Sequence, residues 1–248
     1  MSPAAHPPLL DARALHRSFG GVQAVRDCGI AVQPHTITGL IGPNGSGKTT
    51  AFNIITGYLA ASSGEVHFDG THYARPDPRR MYKAGLTRTF QQARVFPELT
   101  ALENLVVAAK RDWKALFGPR ATAADRRQAM NMLAEFSLSE HAAKKAAQLS
   151  YGQRKLLEFA AALMGDPKLV MLDEPTAGVN PVMIATMERH IRDRHERGVT
   201  FLIVEHDMNF VMRVCDPIIV LDRGTPIVSG TPGEVQADPR VLEAYLGD

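Results

Sequence analysis

The sequence predicts an α/β fold: a mostly parallel sheet covered on both faces, an antiparallel β subdomain at one edge, and an inserted helical segment. Three observations predict it. Strand-length runs of continuous apolar residues recur along the chain, the pattern of parallel strands buried on both sides. Helix-length segments separate them, as βαβ connections require. The first such run passes directly into a Gly-rich turn and then a helix.

Taken in order, residues 9–35 and 64–68 hold short alternating runs bounded by Gly, such as Val22–Val25 and Glu65-Val66-His67-Phe68. These read as antiparallel strands. Ile37–Ile41 reads as the first buried strand, and a helix is expected over Thr49–Leu59. Residues 98–165 offer no convincing strand. Thr100-Ala101-Leu102-Glu103 and Thr122-Ala123-Ala124-Asp125 have the spacing of capping boxes, so each predicts a helix start. Strands follow at Leu169–Leu172, Phe201–Val204 and Ile218–Leu221. Helices are expected between them, over Val182–Arg197 and Met208–Cys215, and Gly230–Asp248 reads as a short helical tail. The expected division is an α/β core with its β subdomain over residues 1–91 and 166–248, interrupted by a helical subdomain over 92–165.

Composition bounds the function. The 248 residues are 45% apolar and 22% charged, with a formal net charge of +2. Wholesale disorder and coiled coil are excluded, and nothing in the charge balance favours nucleic acid or an anionic membrane surface. Cys28 and Cys215 are too few for a disulfide framework and read as buried apolar side chains. No apolar run reaches the ~18 residues of a membrane-spanning helix. Met1–Leu10 holds three prolines and no basic segment, which is not a secretory pattern. The expectation is a soluble, cytoplasmic chain that serves a membrane only by docking onto another protein. His6, Trp113 and the basic stretch Arg75–Arg80 read as solvated surface.

Gly42-Pro43-Asn44-Gly45-Ser46-Gly47-Lys48-Thr49 matches G-x-x-x-x-G-K-[ST] between a strand and a helix. Glycines let main-chain amides curl around a triphosphate, and the helix aims its positive end at the same place. Lys48 supplies a point charge, and the Thr49 hydroxyl is a ligand for Mg2+. Leu169–Leu172 leads into Asp173 and Glu174, two acids at the strand end where a parallel sheet presents its ligand-binding groups. Asp173 is expected at the metal, and Glu174 at the attacking water. Leu149-Ser150-Tyr151-Gly152-Gln153 opens another helix, with Ser150 and Gln153 at capping-box spacing. On spacing alone this is an ordinary capped helix.

Phosphate loop, LSYGQ and MLDEP in this order make the chain resemble the ATP-binding subunits of ATP-binding cassette (ABC) transporters over nearly its full length. The resemblance implies a P-loop NTPase (RecA-like) core and binding of ATP with Mg2+. It implies a head-to-tail dimer in which Ser150, Gly152 and Gln153 of one subunit close over the phosphates held by Gly42–Thr50 of the other. Gln91 resembles the Q-loop glutamine that touches Mg2+, with Gln92 as the register alternative. His206 resembles the switch histidine that senses the γ-phosphate. Phe19 resembles the aromatic that stacks on adenine, and Ala177-Gly178-Val179-Asn180 occupies the D-loop position. Arg94–Leu105 falls at the surface that would dock on transmembrane permease subunits, with a solute-binding protein as an indirect partner. Tyr151 stands where Gly is commonest, and Asn180 where Asp is usual. Both variants are similar to those in branched-chain amino acid importers, as are Arg88–Gln91, Glu205–Met208 and the ending Gly230-Thr231-Pro232-Gly233-Glu234 … Glu243-Ala244-Tyr245-Leu246-Gly247. Neighbouring readings are an ABC ATPase for an amide, urea or an exported lipid, a non-transport ABC ATPase, and a P-loop kinase. The stretch 92–149 is too short for the coiled-coil arm of the non-transport type, and a kinase has no need of LSYGQ.

Overall fold

A computed structural model describes residues 7–109 and 122–246. His6, Trp113, Gly247 and the start of Met1–Leu10 lie outside the described residues. The main sheet has six strands. They are β3 (Ile37–Ile41), β6 (Leu86–Arg88), β7 (Leu169–Asp173), β8 (Thr200–Val204), β9 (Ile218–Asp222) and β10 (Thr225–Gly230). Their order is β10-β9-β3-β8-β7-β6. All neighbours are parallel except β10, which returns antiparallel to β9. The four strands expected from continuous apolar runs are its centre, and β3, β7 and β8 are buried along their whole length. The strands β6 and β10 were not expected. Only three residues long, β6 is too short to show a periodicity.

A second sheet of four strands has the order β2-β1-β4-β5. It comprises β1 (Leu10–Phe19), β2 (Val22–Val32), β4 (Ser63–Phe68) and β5 (Thr71–Tyr73), all antiparallel. The expected β subdomain is therefore a sheet of its own. It meets the main sheet at one corner, where the Arg26 amide donates to the Gly224 carbonyl at 2.9 Å. Between the two sheets lies α1 (Lys48–Ile55), which buries Ala51, Phe52, Ile54 and Ile55. The same core takes alternate residues from the main sheet, including Leu40, Met171, Leu202 and Leu221.

The opposite face of the main sheet packs on the helices. The segment between β6 and β7 carries α3 (Ala101–Ala108), α4 (Ala123–Glu135) and α5 (Tyr151–Leu163). Each starts on the capping box its sequence predicted, with Thr100, Thr122 and Ser150 as caps. Beyond them, α6 (Pro181–Glu196) starts on the side chain of Asn180, which accepts from the Met183 amide, and α7 (Met208–Val214) starts on Asp207. The tail is two short helices, α8 (Pro232–Ala237) and α9 (Pro239–Leu246), rather than one. A further helix, α2 (Pro78–Ala84), fills the Arg75–Arg80 region, capped by Asp77. Cys28 and Cys215 are buried and unpaired, and burial pushes both thiols up to about 12.

Candidate functional site

The site lies at the carboxyl ends of β3, β7 and β8, the edge where a parallel sheet leaves its side chains free to meet a ligand. From β3 the chain enters the Gly42–Thr49 loop. Gly42, Gly45 and Gly47 all adopt positive φ, so the loop can turn its amides inward without Cβ clashes. Lys48 is buried, and its ammonium donates to the carbonyls of Gly42 and Pro43, both at 2.8 Å. Desolvation lowers its pKa, while the charges of Glu174 and Asp173 oppose that shift. Asn44, Gly45, Gly47, Lys48, Thr49 and Thr50 line a cleft of about 320 Å3 together with Phe19, Glu174 and His206. Phe19 is 47% exposed, with the Arg17 guanidinium 4.9 Å from its ring centre. Ser46 is buried beneath the loop, close to the Lys48 ammonium.

Three side chains from distant parts of the chain converge beside the loop. Glu174 accepts from Gln91 Nε2 on one carboxylate oxygen and meets His206 Nε2 on the other, both at 2.8 Å. Its backbone has positive φ, and its amide donates to the Val204 carbonyl at 2.9 Å, which ties the end of β7 to the end of β8. Gln92, the register alternative, lines an adjoining cleft with Thr49, Thr50, Gln91 and Asp173. Asp173 is buried and ion-paired to Arg88 at 2.8 Å. Thr49, Gln91 and Asp173 thus offer a hydroxyl, an amide oxygen and a carboxylate to one cleft, a hard-oxygen set that fits Mg2+.

Ser150, Gly152 and Gln153 line neither cleft. They sit at the start of α5, where the Ser150 and Gln153 side chains cap each other's amides. Tyr151 reaches back towards the site, its hydroxyl donating to the Gln91 carbonyl at 3.4 Å. Gly178 makes room for that ring, since a Cβ there would lie 3.1 Å from it. At Gly152 a Cβ would fall 2.3 Å from Met183 Sδ, so any larger residue there must displace the Met183 side chain.

Four further residues hold the site in place; Lys155 and Glu158 were not singled out in the sequence, and Arg88 and Glu205 were named only within segments that carry the resemblance, with no role. Arg88 clamps Asp173 and also donates to Asn53 of α1 and to Thr56 just past its end, at 2.7 and 3.0 Å. Glu205, buried, accepts from the Thr176 amide and hydroxyl, both at 2.7 Å, and from the His206 amide at 2.9 Å. Lys155 donates to the Glu174 carbonyl at 3.0 Å. Glu158 accepts from the amides of Phe90 and Arg94 at 3.2 and 3.0 Å, which brackets Gln91. The signal for Arg88 was its place at the end of a strand beside Asp173, but β6 itself was invisible.

The ABC transporter family model matches residues 25–177, spanning both the phosphate loop and the acids of β7. The chain belongs to the ABC transporter family. It is an ATP-binding subunit and an ATPase. A second model, for the branched-chain amino acid ATP-binding cassette transporter, matches residues 225–248, and this places the ABC subunit in that branch. It is 39% identical to the high-affinity branched-chain amino acid transport ATP-binding protein BraF of Pseudomonas aeruginosa, over 97% of this chain and 98% of that one. An ATP-binding cassette solved in its ADP conformation superposes with a TM-score of 0.85 at 34% identity, covering 97% of this chain and 99% of that one. A dimeric ATP-binding cassette in a post-hydrolysis state, bound to ADP and Pi, matches with a TM-score of 0.80 at 25% identity, over 90% and 98% of the two chains.

Proposed function

We propose that this subunit drives import of branched-chain amino acids, as one of two ATP-binding subunits docked on transmembrane permease subunits. The observation that carries the catalytic part is the Glu174 carboxylate, held between Gln91 and His206 at the mouth of the phosphate-loop cleft. The relatives' names and the tail match support the solute class. No helix among the described residues is long and apolar enough to cross a membrane. We place the chain as a peripheral protein on the cytoplasmic face, reached by a solute-binding protein only through the permease. The net charge of +2 gives nucleic acid no footing.

In this reading Phe19 stacks on the adenine and the loop amides of Gly42–Thr50 take the phosphates. Lys48 exchanges its carbonyl partners for phosphate oxygens. Thr49, Gln91 and Asp173 would hold Mg2+, which when bound offsets negative charge on the β- and γ-phosphates. Glu174 orients a water for in-line attack and accepts its proton. The water oxygen bonds to the γ-phosphorus as the bond to the β–γ bridging oxygen breaks, giving ADP and phosphate. His206, handed on from Glu174, donates to the γ-phosphate oxygens. Ser150, Gly152 and Gln153 of the facing subunit close the site. Residues 92–165 form the helical subdomain that moves relative to the core of 1–91 and 166–248, with Gln91 at the boundary. The cleft of about 600 Å3 lined by Tyr58, Phe90, Gln92, Ala93 and Arg94 opens on that boundary. Within Arg94–Leu105, Ala101, Asn104 and Leu105 are buried, so docking on the permease falls to the exposed part of that stretch, with Phe96 57% exposed.

Cells whose only copy carries Glu174→Gln are expected to lose uptake of radiolabelled leucine, isoleucine and valine. The purified variant should still bind ATP while its turnover falls by ~10²–10⁴, the usual worth of a general base. Uptake that persists with normal hydrolysis removes Glu174 from the mechanism. Branched-chain uptake that survives in cells whose ATPase is dead reassigns the solute.

A further inference from the structure

The outer face of the antiparallel sheet gathers a second cluster, none of whose residues lines the nucleotide cleft. His67 on β4 and His72 on β5 are paired directly across the ladder. Their rings stack with centroids 4.8 Å apart and an interplanar angle of 27°. Glu65 lies two residues before His67, so the strand's alternation puts both on one face. Its carboxylate spans the pair, with one oxygen 3.1 Å from His67 Nε2 and the other 3.2 Å from His72 Nε2. The three ligand atoms all lie within 4.8 Å of one another. His67 Nε2 is buried and has no hydrogen-bond partner of good geometry, although a carboxylate oxygen is near. On the neighbouring strand Arg13 is held by Asp11, at 2.7 and 2.6 Å, and stays 3.7 Å from Glu65.

Two imidazoles and one carboxylate are the donor set of borderline dications, and their bonds to zinc run near 2.0–2.2 Å. Neighbouring ligand atoms of a tetrahedral centre with such bonds stand about 3.3 Å apart, close to the two nitrogen–oxygen separations here. The donors are already gathered, and to share one ion the stacked rings must turn so that both planes pass through it, a side-chain motion open to the exposed His72. We propose that Glu65, His67 and His72 form a binding site for a divalent transition metal, zinc the best match, on the β subdomain. The metal closes the β4–β5 hairpin across its Asp69-Gly70 turn and keeps a coordination position for water or an outside donor. This is a metal separate from the Mg2+ that accompanies ATP, and its donors select against Mg2+, which prefers oxygen.

The test is titration of the chelator-treated full-length protein with zinc chloride, in buffer containing Mg2+ and no nucleotide. One equivalent is expected to bind and to raise the melting temperature. His72→Ala, at an exposed position, should weaken binding at least about tenfold, since loss of even an outer-shell partner costs 10–100-fold, and should abolish the thermal shift. With chelator present, the two proteins should melt and hydrolyse ATP alike. Glu65→Gln, which preserves shape and removes the anionic donor, decides the matter if His72→Ala folds poorly. The proposal is overturned if wild type takes up no zinc, or if zinc binding and its thermal shift are the same in wild type and these variants.

Discussion

Glu158 is a carboxylate placed where only packing would be expected. It is 6% exposed on the inward side of α5. One oxygen takes the Phe90 and Arg94 amides, while the other is buried without a partner. Burial pushes its carboxyl up to about 7 from an ordinary 4.5, against the pull of those two amides and of Lys155 and Arg94. The folded protein therefore holds this proton more tightly than the unfolded chain. The stabilising contribution is complete below about pH 4.5 and is lost as pH rises through about 7. The step corresponds to at most about 3 kcal/mol. Glu158→Gln keeps an oxygen acceptor for the two amides and removes the titration. Relative to that variant, wild type is expected to lose stability between about pH 5 and about pH 8. Urea unfolding of both proteins across this range measures it, and parallel curves would show that Glu158 does not titrate there. The same side chain brackets Gln91, so the readout also reports on how firmly the helical segment holds that loop.

At the scale of elements, the phosphate loop is held by main-chain contacts that its sequence pattern does not disclose. At Gly42, with φ +148°, a Cβ would fall 2.0 Å from the Leu221 carbonyl of β9. At Gly45, with φ +77°, nothing lies within 4 Å of an added Cβ. Gly45→Ala is expected to cost only the conformational term, about 1–2 kcal/mol. Gly42→Ala must displace β9 or the loop, so it should lower the melting temperature further and abolish ATP binding. Equal effects from the two substitutions would refute this account of the loop. The elements legible beforehand with the strongest local signatures were β3, β7, β8 and β9 from unbroken apolar runs and α3, α4 and α5 from their capping boxes; α6, α7 and the antiparallel runs of β1, β2 and β4 were legible more coarsely. The first helix was expected to run to Leu59 but ends at Ile55. There the Thr56 hydroxyl bonds back to the Phe52 carbonyl at 2.6 Å, and Gly57 turns at φ +80°. Both signals are short-range and were outweighed by the apolar pattern. The separation of the antiparallel strands into their own sheet was not legible, because it depends on α1 being wedged between two sheets. The site divides in the same way. Lys48, Thr49, Asp173 and Glu174 sit in contiguous motifs, whereas the clamps Arg88, Lys155, Glu158 and Glu205 act only through the fold.

For the whole molecule, the decisive geometric observation is that Ser150, Gly152 and Gln153 line neither cleft of this chain. The cleft of Gly42–Thr50 is flanked by Glu174 and His206 of the same chain and is open at its rim, where Phe19 is 47% exposed. In the dimer proposed above a second subunit supplies the missing wall, and where that subunit is another copy of this chain each completes its partner's site. Complementation distinguishes this from two self-sufficient chains. Lys48→Ala removes the phosphate-loop charge, and Ser150→Arg fills the opposing wall, so neither protein alone should hydrolyse ATP. In a mixed dimer both lesions fall on one nucleotide and leave the other site wholly native. An equimolar mixture is therefore expected to recover roughly a quarter of wild-type turnover, since half the dimers are mixed and each has one working site of two. Chains that each enclose their own nucleotide would give a mixture as inactive as its components, because no rearrangement of partners could separate the two lesions from the sites they damage.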